Sequence, residues 1–354
     1  MMKTFKITAA MLGAAMLFAG CSSSSSGSTG SSQAGSSAAA SSAASTASTS
    51  TSAAAGDVKI GILQYVEHPA LDEATKGFED YLKDNGYADA AIDFKSAQGE
   101  VANCTSIAQK FVNDKVNLIF AVATPAAQAA ANETKDIPIV LSAVTDPADS
   151  GLVESNEKPG NNVTGSSDLN PIEAQFDLLQ EILPDAKTVG LLYCNAESNS
   201  VFQINLAKEQ CDERGLSYQE ASVTDSNQIQ QVVESLNGKV DVIYVPTDNL
   251  MAESMATVSQ TASQYGIPCI VGEEGMVKNG GLATYGIDYY KLGELAGAQA
   301  VSILDGKDKP EDMAIQYLAT DECTLTVNPK AAEKLNITLP KSVLDRAVTV
   351  EGED

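Results

Sequence analysis

Short apolar runs recur along the chain, each closed by a polar turn and followed by a longer stretch with helical spacing. Residues 58–64 (VKIGILQ), 91–95, 118–122 and 139–140 read as one set of strands, and 188–193 (TVGLLY), 217–222, 242–245 and 269–270 as a second. Runs this short and this apolar suit strands buried on both faces. Between them apolar positions fall three or four apart. Ala70, Ala74, Phe78 and Leu82 precede Asn85-Gly86, Ile107 precedes Phe111, Phe176, Leu179 and Ile182 follow Pro171, and Val201, Ile204 and Ala207 precede Gly215. These stretches predict helices with one buried face. Further helices are predicted over 227–236, 289–305 and 328–335, with the first crossover between lobes at 162–169, a strand or crossover at 281–286 and a returning strand at 324–327. Strand alternating with helix throughout predicts an α/β protein with parallel, doubly wound sheets.

One arrangement occurs twice. Residues 115–145 and 239–273 each run from Lys-Val and an apolar strand to a polar switch, a helix of small residues, Ile-Pro and a second apolar strand. The repeat predicts two similar Rossmann-like lobes with a cleft between them. By length, residues 57–165 with about 286–318 form the first lobe and 166–285 with about 319–354 the second, joined by a hinge.

Ligands of open α/β sheets bind beyond the carboxyl ends of the strands, beside helix N-termini. Those positions hold Gln64, Glu67 and His68; Thr124, Pro125 and Ala126; Thr145 and Asp146; Asn195 and Asn199; Thr247, Asp248 and Asn249; and Glu273. Ser167 and Asp168 lie between the lobes. With Thr124 as cap and Pro125 in the first turn, the helix there offers free backbone N–H groups to a carboxylate. Asp248, on the facing turn, offers a carboxylate to an ammonium group. Both residues also suit simple capping, and the two roles can coexist. Together the walls complement an amino-acid zwitterion, with Tyr65, His68, Tyr193 and Tyr285 available for an aromatic side chain.

Composition narrows the function. The formal net charge of −25 repels phosphate backbones, so nucleic acid is not an expected partner. His68 is the only histidine, and no CxxC, GxxxxGK or GxSxG occurs, so neither a cofactor nor a metal is expected. Glu273 and Glu274 are the one adjacent acid pair at a strand end, and neighbours there point apart, so an enzyme is not expected. Five cysteines besides Cys21 suggest free thiols rather than a disulfide framework.

At the N-terminus, Lys3 and Lys6 precede an apolar run over 7–18 and then Ala19-Gly20-Cys21. Residues 1–20 read as a secretory signal. The Cys after Ala-Gly resembles a bacterial lipobox, which implies acylation of Cys21 and a lipid anchor outside the cell membrane. Residues 22–56, almost all Ser, Ala, Gly and Thr, read as a flexible tether.

The folded part resembles the lipoprotein substrate-binding components of ABC importers for tryptophan and tyrosine. The resemblance is carried by Gly61-Ile62-Leu63-Gln64 with Glu67-His68-Pro69, by Ala123-Thr124-Pro125-Ala126, and by Thr145-Asp146-Pro147. It continues through Asn162-Val163-Thr164-Gly165 with Ser167-Asp168, Tyr244-Val245-Pro246-Thr247-Asp248-Asn249, Glu273-Glu274-Gly275 and Tyr285-Gly286-Ile287-Asp288. It implies a type I periplasmic-binding-protein fold, a small ligand held between lobes, delivery to ABC permease subunits, and Asp288 as a further site residue. A nucleoside, a sugar or another amino acid held by the same fold is the alternative reading.

Overall fold

The computed structural model describes residues 57–350. The leader, Cys21, the Ser/Ala-rich segment and residues 351–354 lie outside the described residues. β1 (Lys59–Gln64), β2 (Ala91–Ser96), β3 (Leu118–Val122), β4 (Ile139–Ser142) and β5 (Val163–Gly165) form a parallel sheet in the order β2-β1-β3-β4-β5. α1 (Pro69–Leu82), α2 (Val101–Asp114) and α3 (Thr124–Glu133) are its crossovers. Every residue of β3 is buried, as expected where helices cover both faces. Phe78 of α1 stacks on Phe120 of β3 with ring centroids 3.7 Å apart, which fixes the helix on the sheet. Residues 162–169, read in sequence as the first crossover between the lobes, begin instead with β5, the edge strand of this sheet, and cross only after it.

The second sheet contains β6 (Thr188–Cys194), β7 (Ser217–Val223), β8 (Val242–Val245), β9 (Cys269–Val271) and β10 (Ala283–Gly286). Its helices are α4 (Ile172–Ile182), α5 (Ser198–Arg214), α6 (Ile229–Ser235), α7 (Asn249–Glu253), α8 (Met255–Gln264) and α9 (Glu274–Lys278). Strand alternation divides the core. Leu191, Tyr244 and Ile270 face one cluster, and Leu192, Ile243, Val245 and Val271 the other. The single helix expected after residue 248 is broken at Ser254 into α7 and α8, and α9 was not expected at all.

From β10 the chain enters α10 (Tyr289–Leu304), which packs on α1, β4 and β5 of the first sheet. It then returns as β11 (Thr324–Val327), α11 (Pro329–Lys334), α12 (Lys341–Leu344) and β12 (Val348–Thr349). The full order of the second sheet is β12-β11-β10-β9-β8-β6-β7. β10 and β11 are antiparallel, a departure from the purely parallel expectation. The chain leaves β10 at its carboxyl end and comes back from the first lobe at that same end, so β11 must run the other way. Residues after 335 provide α12, β12 and the buried Val343 and Val350.

Two close approaches hold this frame. An added Cβ on Gly77 of α1 would lie 2.0 Å from Tyr290 O, and one on Gly293 of α10 would lie 2.0 Å from Ala74 O. Only glycine allows the two helix backbones to come so near. At the crossing between lobes, Ser167 N donates to Gln316 O and Gln316 N donates to Gly165 O, both at 2.8 Å. The outgoing and returning connections are therefore stitched side by side. The five described cysteines are unpaired, four of them buried.

Candidate functional site

The loops after the strands of both sheets meet around a small, tightly closed cavity. From the first sheet come His68 and Leu71 after β1, and Ala143 and Thr145 after β4. Asp168 enters after β5 and Asn199 after β6. Thr247, Asp248, Asn249 and Ala252 follow β8, Glu273 and Met276 follow β9, and Tyr289 follows β10. This is where an open α/β sheet places a ligand. Ala123 and Ala143, the residues directly after β3 and β4, have positive φ values of 79° and 55°. Strained non-glycine backbone of this kind concentrates at binding sites.

Three carboxyl groups line the cavity and differ in what engages them. Asp248 caps α7: its Oδ1 accepts from Met251 N at 2.9 Å and its Oδ2 from Cys194 N at 2.6 Å. Glu273 caps α9, accepting from Gly275 N at 2.5 Å and Met276 N at 2.7 Å. Asp168 caps no helix; its carboxyl accepts from two hydroxyls, Thr145 Oγ1 at 3.2 Å and Tyr289 OH at 2.9 Å. Burial pushes Asp168 up to about 6 and Glu273 up to about 7, because each charge has left water. Among the described residues no lysine or arginine lines the cavity. A fourth acid, Glu197, sits behind Asn249 and accepts from its Nδ2 at 2.5 Å. Burial and then the Asp248 charge raise Glu197, and burial raises Asp248.

The lobes touch across the cavity through polar side chains. Gln203 Nε2, on α5, donates to Thr145 Oγ1 at 3.3 Å and to Thr247 O at 2.9 Å, while its Oε1 accepts from Thr247 Oγ1 at 2.6 Å. His68 Nε2 lies 3.5 Å from Asn249 Oδ1. Two buried atoms on the wall have no partner, His68 Nδ1 and Asn199 Oδ1, and Thr124 Oγ1 is a third such atom at the start of α3. Native interiors rarely leave buried polar groups unpaired, so these atoms are free to take a further hydrogen-bond partner.

The residues expected from sequence separate accordingly. His68, Thr145, Asp168, Asn199, Thr247, Asp248, Asn249 and Glu273 share the cavity. Gln64 does not reach it: its Nε2 donates to Val66 O and Asp72 Oδ1 and its Oε1 accepts from Thr75 Oγ1, tying the β1–α1 loop to α1. Glu67 and Asn195 are exposed. Asp146 braces its own loop by accepting from Ala148 N, Asp149 N and Asn156 Nδ2. Ser167 Oγ donates to Thr145 O, so it sets the height of the Thr145 loop. Asp288 caps α10 through Lys291 N, in an outer groove.

At α3 the register differs by one. Ala123 is the cap, Thr124 is the first helical residue, and the Thr124 hydroxyl makes no cap bond. Pro125 and Tyr65 line a separate groove that also runs between the lobes, facing Cys194 and Glu197, and Ala126 is buried in the core. The expected aromatic wall is also displaced. Tyr193 OH donates to Glu220, and Tyr285 packs on the core of the second lobe. The rings that do face the cavity are His68 and Tyr289. Tyr289 on the cavity wall, and Gln203 and Glu197 bonded to wall residues, are positions absent from the sequence-derived candidates. Glu197 and Tyr289 lie within turns already singled out, whereas nothing local marks Gln203, one polar residue on a long helix.

Comparison with known proteins agrees with this geometry. Residues 59–351 match the family model for the ABC transporter substrate binding protein. A tyrosine-binding protein of Clostridioides difficile strain R20291 is 45 % identical over 281 residues, 78 % of this chain and 81 % of that one. A solved ABC domain from Streptococcus pneumonia in complex with L-Trp is 37 % identical and superposes with a TM-score of 0.80, covering 83 % of this chain and 99 % of that one. A ligand-free, open substrate-binding protein with adhesive properties from Clostridium difficile is 43 % identical but superposes at only 0.65, covering 84 % and 100 %. The more identical chain is the poorer geometric match, so the lobes here are arranged more as in the L-Trp complex than as in the open protein. With a family model spanning both lobes and a relative this similar over most of its length, the chain belongs to the ABC transporter substrate-binding proteins and has the type I periplasmic-binding-protein fold.

Proposed function

We propose that this protein captures an aromatic amino acid, tyrosine or tryptophan first, between its lobes outside the cell and presents it to the permease of an ABC importer. The observation that carries the reading is the interlobe cavity itself: buried, lined by carboxyl groups without a cation, and edged by unpaired polar atoms. Asp168 is the ammonium acceptor, because Asp248 and Glu273 already accept from backbone N–H groups. Without a basic residue on the wall, the ligand carboxylate depends on hydroxyl and backbone donors, with Thr124 and the N-terminus of α3 offering both. His68, Tyr289, Leu71 and Met276 supply the apolar and aromatic surface. Relatives that bind tyrosine and L-Trp favour this class of ligand.

We further propose that Cys21 is acylated and anchors the protein to the outer face of the membrane, with residues 22–56 as its tether. No helix among the described residues is long and apolar enough to cross a membrane, so retention there would rest on that lipid. Calorimetric titration with L-Tyr, L-Trp, L-Phe, L-Leu and a nucleoside tests the ligand class. Binding of the aromatic amino acids alone supports it, and binding of the nucleoside in their place refutes it.

A further inference from the structure

His68 and Asn249 face each other across the cavity, and what holds Asn249 decides which of them donates. Asn249 Nδ2 donates to Glu197 Oε2, and Glu197 also accepts from Leu250 N, Asn249 N and Asn199 Nδ2. A carboxylate ringed by N–H groups acts as the acceptor. Turning the Asn249 amide over would set its carbonyl oxygen against that carboxylate. Asn249 therefore presents Oδ1 to the imidazole, and only an N–H can meet it. His68 is 8 % exposed, and burial lowers it to about 4, so the ring is neutral and carries one N–H. That hydrogen is on Nε2. Nδ1 is left as a bare acceptor, buried and unpartnered on the cavity wall.

We propose that His68, held as its Nε2–H tautomer by a Glu197–Asn249 relay, determines specificity by accepting a hydrogen bond at Nδ1 from a neutral donor on the ligand ring, a phenol O–H or an indole N–H. This rests on the aromatic amino-acid reading above. The ligand ammonium group is not the donor, because the Asp168 carboxyl on the same wall attracts it more strongly than a neutral imidazole does. Asn199 Oδ1, the other unpaired acceptor on the wall, remains for a second N–H of that group. Phenylalanine has no ring donor and leaves Nδ1 buried and unsatisfied. It should bind about ten- to a hundredfold more weakly than tyrosine.

Because His68 is the only histidine, a long-range proton–nitrogen spectrum of the whole protein shows one imidazole. With L-Tyr or L-Trp bound, we expect Nε2 protonated and Nδ1 shifted as a hydrogen-bond acceptor. L-Phe and indole-N-methylated tryptophan should leave Nδ1 in the position of a free acceptor and bind more weakly by titration calorimetry. Glu197→Gln, which frees the Asn249 amide to turn, should mix the tautomers. An Nδ1-protonated ring in the L-Tyr complex, or equal affinity for L-Phe and L-Tyr, overturns the proposal and leaves the ligand class standing. Absence of binding heat with every aromatic amino acid overturns both.

Discussion

Asp168 separates a charge-reading cavity from a merely polar one, and replacing it by asparagine tests the difference. The amide keeps the shape and can still bond both hydroxyls, accepting from one of Thr145 and Tyr289 and donating to the other. What disappears is the charge. Removing one partner of a buried charge pair costs about 2–5 kcal/mol, at least about thirtyfold in Kd. A pH signature accompanies the loss. The carboxyl is raised from 3.8 to about 6 by burial, so near neutral pH it is ionised and ready for an ammonium group. Below about 6 it must first lose a proton, and affinity should fall by about tenfold per pH unit. Glu273 and Glu197 are raised as well and keep some slope in the variant, while His68, at about 4, stays silent above about pH 5. Calorimetry with L-Tyr across this range, in wild type and Asp168→Asn, reads both quantities. Binding within twofold of wild type, with an unchanged slope, would show that the ammonium group lies elsewhere.

Other outcomes follow from the same geometry. Asp248→Asn should destabilise the fold by about 1 kcal/mol in urea melts, since an amide cannot accept from both Cys194 N and Met251 N; no loss would deny that capping role. Glu273 is raised from 4.5 to about 7, so its contribution to stability is complete below about pH 4 and is lost as pH rises through about 7. The difference in Tm between wild type and Glu273→Gln should therefore move in favour of wild type on acidification from about pH 7.5 to about pH 5, and a constant difference refutes the shift. Gly77→Ala forces α1 off Tyr290 O and should cost about 1–3 kcal/mol, while also weakening L-Tyr binding because α1 begins beside His68 and α10 with Tyr289. Loss of radiolabelled palmitate incorporation in Cys21→Ala would support the lipid anchor; retained label would exclude that site.

The fold was legible because burial on both faces of a sheet leaves an unambiguous trace. The runs at Leu118–Val122 and Val242–Val245 are apolar without interruption, and the strands lie where those runs are. Turn chemistry placed the candidate residues at the right ends of the strands. It could not settle side-chain direction. Gln64 and Asp146 stand at strand ends yet bend into their own loops, and Asp288 caps a helix beside the cavity while its neighbour Tyr289 enters it. Nor could local sequence reveal that the Asp248 oxygens belong to the backbone of Cys194 and Met251, one of them far away in the chain. Gln203 was invisible for the same reason: its importance comes from Thr247, 44 residues on, and from Thr145, which the other lobe brings to it.

The chain contains no tryptophan, so bound L-tryptophan is the one indole in the sample. Titrating the purified protein with L-tryptophan and following indole emission tests the central claim most directly. Closure of the lobes on the ligand predicts a saturable blue shift at micromolar concentration, reversed by excess L-tyrosine and weakened in Asp168→Asn. Emission that stays at the wavelength of free tryptophan throughout would contradict an aromatic amino-acid site between these lobes.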